Sequence, residues 1–209
     1  VLQVEAMEQV AQIALRDRLD PDGAGEIYIK SLGKVKFRKP AKPGDRLQVE
    51  VDILSVTGGE AKVRAVNRTN AGVTCQGEMT LAVRPRTTPA QFAREYGPDD
   101  KNDQIAMDVN GIVQIIPHRF PFLLVDYIVS FADPKVVAVK NVTAGDPIMH
   151  HYSADYVVLP ETVQSEIIAQ AGAVLMLSRP ENRGKIAYFM SIEEAQCSHP
   201  VFPGDQLRI

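Results

Sequence analysis

The hydrophobic and polar positions of the first half of the chain predict one helix followed by strands. Between residues 2 and 17 apolar positions recur at helical spacing, broadly on one side: Leu2, Met7, Val10, Ile13 and Ala14. Strand-like runs follow near 26–38, 46–56, 60–69 and 73–84. The stretches "TGG" (57–59) and "NAG" (70–72) predict hairpin turns between these runs.

In the second half of the chain, a polar segment is followed again by strand-like runs and one helix. Residues 87–109 carry prolines and the charged run "PDDKND", which is typical of a linker. Strand-like "KVVAVKNVT" (135–143) precedes an apolar helix predicted from 161 to 178, which "RPENRGK" (179–185) ends. One helix per half, surrounded by antiparallel strands, predicts an α+β fold with the helix packed on a sheet.

The two halves resemble each other in sequence. "KFRKPAKPGDRLQVEV" (36–51) resembles "QCSHPVFPGDQLRI" (196–209), and "VLQVEAMEQVAQIAL" (1–15) resembles "ETVQSEIIAQAGAVL" (161–175), at nearly one offset. We interpret this as a tandem duplication. The predicted domains are 1–86, a first unit lacking its N-terminal part; 87–109, the linker; and 110–209, a second unit lacking its C-terminal strands.

Composition narrows the function classes. The 209 residues carry a net charge of −3, which gives no indication of nucleic-acid binding. No apolar run approaches the length of a membrane span, and two cysteines are too few for a disulfide framework. No basic-then-apolar leader is found, so no secretion signal is expected. A cytoplasmic protein is expected. Metal and nucleotide motifs are absent from the sequence, so no cofactor is expected.

Several stretches resemble the β-hydroxyacyl-acyl carrier protein dehydratases of fatty acid synthesis. These are "IIPHRFPFLLVDYI" (115–128), "AVKNVT" (138–143), "GKIAYFMSIEEAQ" with "HPVFPGDQLRI" (184–209), and the two stretches of the first repeat quoted above. The resemblance implies the hotdog fold, a long central helix wrapped by an antiparallel sheet, here as two tandem units forming a pseudo-dimer. It implies no cofactor, and an acyl carrier protein or another acyl thioester as partner.

The resemblance also implies site residues. In that family a histidine ahead of the central helix meets a glutamate on the partner's helix. His151 takes the histidine position, although its spacing to the glutamate is one residue longer than in the family. Glu166 and Glu5 take the glutamate positions of the two units, so that His151 would pair with Glu5. Expected substrate contacts are Gln9, Gln170, Tyr152 and Pro160.

The chemistry requires these residue types. Removing the weakly acidic α-proton of a β-hydroxyacyl thioester needs a base with a pKa near neutrality, which suits imidazole. Expelling hydroxide needs an acid, and a carboxyl group in an apolar environment has a raised pKa and can hold that proton. We therefore expect a raised pKa for the buried glutamate.

Other interpretations of these residues stay open. Glu166 could be exposed or ion-paired, His150 and His151 could lie on a loop surface, and Gln9 and Gln170 could bond neighbouring backbone. His118 is interpreted as a structural histidine held by backbone groups, and the aliphatic residues Val163, Ile167, Ile168 and Leu175 as core. Alternative functions are a hotdog thioesterase or a non-catalytic acyl-binding or scaffold module.

A basic stretch stands out in the first repeat. Seven cations lie between Lys30 and Arg46 with only Asp45 opposing them. One interpretation is a charged strand edge that resists aggregation. The other is a docking patch for an acidic acyl carrier protein, with Lys34, Lys36, Arg38 and Lys39 as contacts. A homo-oligomer of double-hotdog units is also expected.

Overall fold

The computed structural model describes residues 1–87, 104–153 and 156–209, except for the side chains of residues 151–153. The chain forms two compact units. The first contains Val1–Arg86 and Phe189–Pro200, and the second contains Thr87–Tyr188 and Val201–Ile209. The predicted domain boundaries follow the sequence duplication, whereas residues 189–200 belong in space to the first unit. Most of the predicted linker lies outside the described residues.

The first unit is one helix against an antiparallel sheet. Its elements are α1 (Leu2–Leu19), β1 (Gly25–Phe37), β2 (Gln48–Thr57), β3 (Glu60–Thr69), β4 (Gly72–Pro85) and β9 (Ser191–Gln196). The strand order is β2-β3-β4-β1-β9. Gly58 and Gly59 connect β2 to β3, both with positive φ (59° and 78°), which the tight turn requires. The predicted helix, strands and first hairpin are confirmed.

The buried face of α1 differs from the predicted one. The helix packs on the sheet through Val4, Met7, Ala11 and Leu15, all of which are buried. Ile13, predicted on the apolar side, is 77% exposed, and Leu2 is also exposed. The prediction was right for Met7 and wrong for Leu2, Ile13 and Ala14, because the true stripe contains Ala11, a small residue that carries little weight in a hydrophobicity pattern.

The basic stretch is not a strand edge, because β1 pairs with β4 on one side and with β9 on the other. A bulge interrupts its pairing with β4 between Gly33 and Lys36, and Lys34 there has φ 54°. Gly77 on β4 accommodates this bulge, since a Cβ at that position would lie 2.8 Å from Val35. The edge interpretation is therefore wrong for residues 30–37.

Within the described residues, the second unit contains two α-helices and two sheets that are smaller than the sheet of the first unit. Its elements are α2 (Val109–Ile115), β5 (Tyr127–Ala132), β6 (Lys135–Asn141), β7 (His150–Ser153), β8 (Tyr156–Val158), α3 (Glu161–Leu177), a 3₁₀ turn (Pro180–Asn182) and β10 (Gln206–Arg208). The strand orders are β10-β6-β5 and β7-β8. None of the helices in the described ranges is long and apolar enough to cross a membrane.

The short helix α2 was not predicted. Asp108 caps its first turn by accepting a hydrogen bond from the amide of Gly111 at 2.9 Å. That bond is the largest factor lowering the pKa of Asp108. The sequence pattern did not predict α2 because a single aspartate before a seven-residue helix, within a polar segment, gives a weak signal.

The central helix α3 packs by one face. Val163, Ile167, Ala171 and Val174 are buried in the core of the second unit. The core assignment of Val163 and Ile167 is confirmed, whereas Ile168 is largely exposed and Leu175 is half-buried. Spacings of three and four residues put the buried positions on one stripe, which excludes Ile168 from it.

A buried ion pair holds the start of β1 to the end of β4. Arg84 donates to Glu26 through Nε at 2.5 Å and Nη2 at 2.8 Å, and its guanidinium lies 4.1 Å above the ring of Tyr28. Glu26 is only 1% exposed. Its carboxylate depends on the guanidinium because an unpaired buried charge is very costly.

We expect Arg84→Met to destabilise the protein by about 3–5 kcal/mol, since it removes the guanidinium that donates two hydrogen bonds to the buried Glu26 carboxylate. The double variant Arg84→Met, Glu26→Gln should recover much of this loss. Arg68→Met, which breaks the exposed pair with Glu50, should cost no more than about 1 kcal/mol. Urea unfolding measures all three. Equal losses for Arg84→Met and Arg68→Met would contradict the prediction.

Candidate active site

Glu166 projects from α3 into the interior of the second unit and is 7% exposed. Two side chains reach the same carboxylate oxygen. The Nε2 atom of Gln170 donates to Oε1 of Glu166 at 3.0 Å, and Nε2 of His118 lies 3.3 Å from that oxygen. Glu166 is therefore a buried acid with dedicated hydrogen-bond donors, as a functional carboxyl group requires.

Gln170 links the acid to the loop that precedes β5. Its Nε2 also donates to the carbonyl of Phe122 at 2.9 Å, and its Oε1 accepts from the amide of Leu124 at 2.9 Å. The carboxamide of Gln170 thus forms hydrogen bonds with three partners. These contacts favour the interpretation that Gln170 bonds neighbouring backbone, and its contact with substrate stays a prediction.

His118 contacts a side chain instead of the backbone groups that the sequence suggested. Its Nδ1 atom is buried and has no hydrogen-bond partner among the described residues. A buried N–H without an acceptor is costly, so the arrangement fits the tautomer that carries its proton on Nε2 and donates it to Glu166. The interpretation of His118 as structural missed this contact because the two residues are 48 positions apart.

The raised pKa expected for the acid is not found. Burial of Glu166 is the largest single influence and raises the pKa, but the hydrogen bonds from His118 and Gln170 and nearby positive charge act together against it, so that the pKa lies below its ordinary value of 4.5. The expectation considered only desolvation. This direction of the pKa shift favours the carboxylate form of Glu166 at neutral pH.

The first unit repeats the acid with its amide partner. On α1, Nε2 of Gln9 donates to Oε1 of Glu5 at 2.8 Å, four residues apart as in Glu166 and Gln170. Glu5 is half-buried and Gln9 is exposed, unlike their counterparts in the second unit. The duplication has therefore preserved a specific hydrogen bond, in two different environments.

The remaining predicted site residues lie around the start of α3. His151 and Tyr152 are on β7, where His151 pairs with Val157 of β8; their side chains lie outside the described residues. Pro160 is buried and precedes the first turn of α3, and its carbonyl accepts from the amide of Val163 at 3.0 Å. The pairing of His151 with Glu5 stays a prediction.

The predicted docking residues are exposed on and after β1. Lys34, together with Lys62 and Arg64, lies within 3.8 Å of a carboxylate oxygen of Glu78. Because Glu78 is one acid among three cations, these four side chains together carry an excess of positive charge. Lys36 and the two basic residues that follow β1, Arg38 and Lys39, add to it.

In the ranges that the structure describes, no group of three or more potential metal ligands is found. The polar groups around Glu166 are one imidazole and one carboxamide, which suit hydrogen bonding and proton transfer.

The comparisons with known proteins fit this geometry. The family model of the FabA-like domain matches residues 1–84 and 116–209. A curated "3-hydroxyacyl-[acyl-carrier-protein] dehydratase FabZ" of Clostridium perfringens is 43% identical over 103 residues, which cover 49% of this chain and 74% of that protein. The protein of the same name from Pelotomaculum thermopropionicum is 48% identical over 104 residues, with the same coverage.

A solved structure supports the fold. The dehydratase domain of RzxB from Pseudomonas fluorescens superposes with a TM-score of 0.54 at 16% identity, covering 95% of this chain and 69% of that one. The chain belongs to the FabA-like family. The predicted family and the predicted α+β hotdog fold are confirmed.

The lowered pKa of Glu166 should depend on His118. Replacing His118 with Phe removes a donor, so the Glu166 pKa, followed by carboxyl-carbon NMR, should rise. His199→Phe, an exposed substitution in the first unit, should leave it unchanged.

The sign of the stability effect follows from linkage. A depressed folded-state pKa contributes stability that is present above about pH 4.5 and is lost as the pH falls through the folded value. The stability advantage of the wild type over His118→Phe should therefore shrink as the pH falls below 4.5. An advantage that is constant or growing towards acid pH would contradict the proposed contact.

Proposed function

We propose that this protein dehydrates β-hydroxyacyl thioesters to trans-2-enoyl thioesters, acting on acyl groups attached to an acyl carrier protein, in fatty acid or related lipid synthesis. The observation that carries the proposal is the buried Glu166 of α3, held by Gln170 and His118 in a chain of the FabA-like family. The FabZ relatives, named as dehydratases, support this activity.

Each predicted residue has a defined part in the proposed reaction. His151 removes the α-proton, and a glutamate, Glu166 or Glu5, gives a proton to the departing hydroxyl group. Pro160 and Tyr152 contact the acyl group beside the start of α3. Gln170, and Gln9 in the first unit, orient the two acids through the hydrogen bonds already described.

Glu166 must be protonated to act as the acid, although its lowered pKa favours the carboxylate form. A bound acyl chain that excludes water raises the pKa of a buried carboxyl group by further desolvation. His118 Nε2, at 3.3 Å, donates to the carboxylate between turnovers. Substrate binding therefore has to reverse the direction of the Glu166 pKa shift in this proposal.

The lowered pKa also supports a second candidate function. A thioesterase uses a carboxylate to orient or activate water, and Glu166 is a carboxylate at rest. The two reactions differ in product. Dehydration forms an enoyl thioester and leaves the thioester bond intact, whereas hydrolysis releases a free thiol.

We expect Glu166→Gln to lower the dehydration rate by about 10²- to 10⁴-fold, because glutamine cannot transfer the proton. The assay follows enoyl absorbance and free thiol together with a β-hydroxyacyl thioester. Glu5→Gln tests the other acid, and Glu181→Gln, an exposed position beyond α3, is the control. Near-wild-type rates in both acid variants would overturn the assignments, and free thiol without enoyl product would indicate a thioesterase.

The carrier protein should dock on the basic surface at and after β1. Reversing the charge of Lys36 and Arg38 together should raise the KM for the acyl carrier protein substrate about tenfold or more with little change in kcat, because the lost attraction acts on association. The control reverses Arg16 and Arg18 at the end of α1, which are also exposed. An unchanged KM would contradict the docking surface, and the effect should weaken at high salt.

A further inference from the structure

Lys140 is a buried cation in the second unit. It lies near the end of β6 and is 5% exposed. Because it follows Ala138 by two residues, the alternation of side chains along a strand puts both on one face of the sheet. Ala138 belongs to the apolar core of the unit. Lysine is almost never fully buried unless it is paired, so this position on an apolar face requires partners.

Two carboxylates from different loops face the ammonium group of Lys140. Its Nζ atom donates to Oδ1 of Asp146 at 3.2 Å and lies 3.9 Å from Oδ1 of Asp126. Asp126 directly precedes β5, and Asp146 lies in the loop between β6 and β7. One ammonium group therefore connects two separate loops.

Both acids also have other donors. Oδ2 of Asp126 accepts from the backbone amide and the side-chain amide of Asn141 at 2.6 and 3.0 Å. Oδ2 of Asp146 accepts from the amide of Thr143 at 2.9 Å, and its carbonyl accepts from the amide of Met149 at 3.3 Å. Each acid is thus fixed within its own loop, and the ammonium group is the contact that the two carboxylates share.

The segment that ends at Asp126 also carries partners of the candidate acid. His118 lies 3.3 Å from Oε1 of Glu166, and the amide of Leu124 donates to Gln170 at 2.9 Å. Asp126 comes two residues after Leu124. The contact with the ammonium group is therefore at the end of the same segment that α3 holds through Glu166 and Gln170.

The loop that contains Asp146 leads to the predicted base. β7 begins at His150, four residues after Asp146, and the next residue is His151. A displacement of this loop would move the backbone of β7, and with it the starting point of the His151 side chain. The ammonium group thus lies between the segment that contacts the acid and the loop that leads to the base.

We propose that Lys140 is a positioning residue, which fixes the loop leading to His151 relative to the segment that contacts Glu166. Its effect on catalysis rests on the proposed function. A buried ion pair is often no more stabilising than apolar residues of similar volume. A lysine on this apolar face therefore fits a role in fixing the geometry of two loops better than a role in overall stability.

The test is a double-mutant cycle. Lys140→Met keeps an unbranched side chain and removes the charge, and Asp146→Asn removes the other charge while keeping an oxygen that can accept from Thr143. Because both changes break the same contact, their effects should not add. The matched control is the cycle of Arg179→Met and Asp133→Asn, an ion pair of the same unit whose side chains are 41% and 67% exposed.

Each single variant of the test cycle should lower kcat for dehydration about ten- to hundredfold, since a misplacement of about 1 Å is enough for such a loss. The double variant should be no slower than the slower single variant. KM should change little, because the proposed substrate contacts stay in place. Lys140→Arg, which keeps the cation, should retain more of the wild-type kcat than Lys140→Met does. The control cycle should leave kcat unchanged.

A second measurement does not depend on activity. In Lys140→Met the amides of Thr143 and Met149, which donate to Asp146, should exchange their hydrogens faster than in the wild type, because the loop has lost its tether. Arg179→Met should leave this exchange unchanged. Thermal unfolding midpoints show whether the variants are folded, and the partly exposed Asp146→Asn carries the kinetic test if Lys140→Met does not fold.

Unchanged exchange at Thr143 and Met149 in folded Lys140→Met would overturn the proposal. So would an unchanged kcat in the folded single variants, or losses that add in the double variant. A wild type that forms no enoyl product would instead contradict the proposed function, and the exchange measurement would still decide whether Lys140 holds the loop.

Discussion

The burial of one carboxyl group constrains the second unit. A buried carboxylate is costly unless donors replace its lost water, and Glu166 obtains them from His118 and Gln170. Gln170 in turn bonds Phe122 and Leu124, so that the need to satisfy one acid also fixes the loop ahead of β5 against α3. The same bonds favour the charged form of the acid and, with nearby positive charge, lower the Glu166 pKa despite burial. The hydrogen bonds of Gln170 therefore both fix the loop ahead of β5 and favour the carboxylate form of Glu166.

The two units show which properties of the acid depend on the helix that carries it and which depend on the residues packed around that helix. Both central helices carry a glutamate and, four residues later, a glutamine that donates to it. Residues at this spacing meet on a helix surface wherever the helix lies. The degree of burial differs, however: Glu166 is enclosed, whereas Glu5 is half-buried. Because desolvation and hydrogen bonding set acidity, two acids of the same local sequence need not share one chemical role.

The positive charges are placed unevenly for a chain with a net charge of −3. One group lies on and after β1, where Glu78 is shared among Lys34, Lys62 and Arg64. Another group, Arg119, Arg183 and Lys185, lies between α2 and the C-terminal end of α3. The group on and after β1 is exposed, which suits the carrier-protein surface proposed above.

The sequence by itself determined the α+β class, the extents of α1, α3 and the first four strands, the internal repeat, and the recurrence of a glutamate and a glutamine four residues later in both repeats. These follow from short-range periodicity, turn residues and repeated motifs, which act over a few positions. Only the tertiary structure decided that His118 contacts Glu166, that the Glu166 pKa is lowered rather than raised, that β1 is an interior strand, and that Ile13 and Ile168 face outward. Each of these depends on groups brought together from distant positions, such as β9 pairing with β1 across some 160 residues of sequence. Hydrogen bonding, burial and strand pairing are properties of the assembled neighbours, so a pattern along the chain cannot supply them.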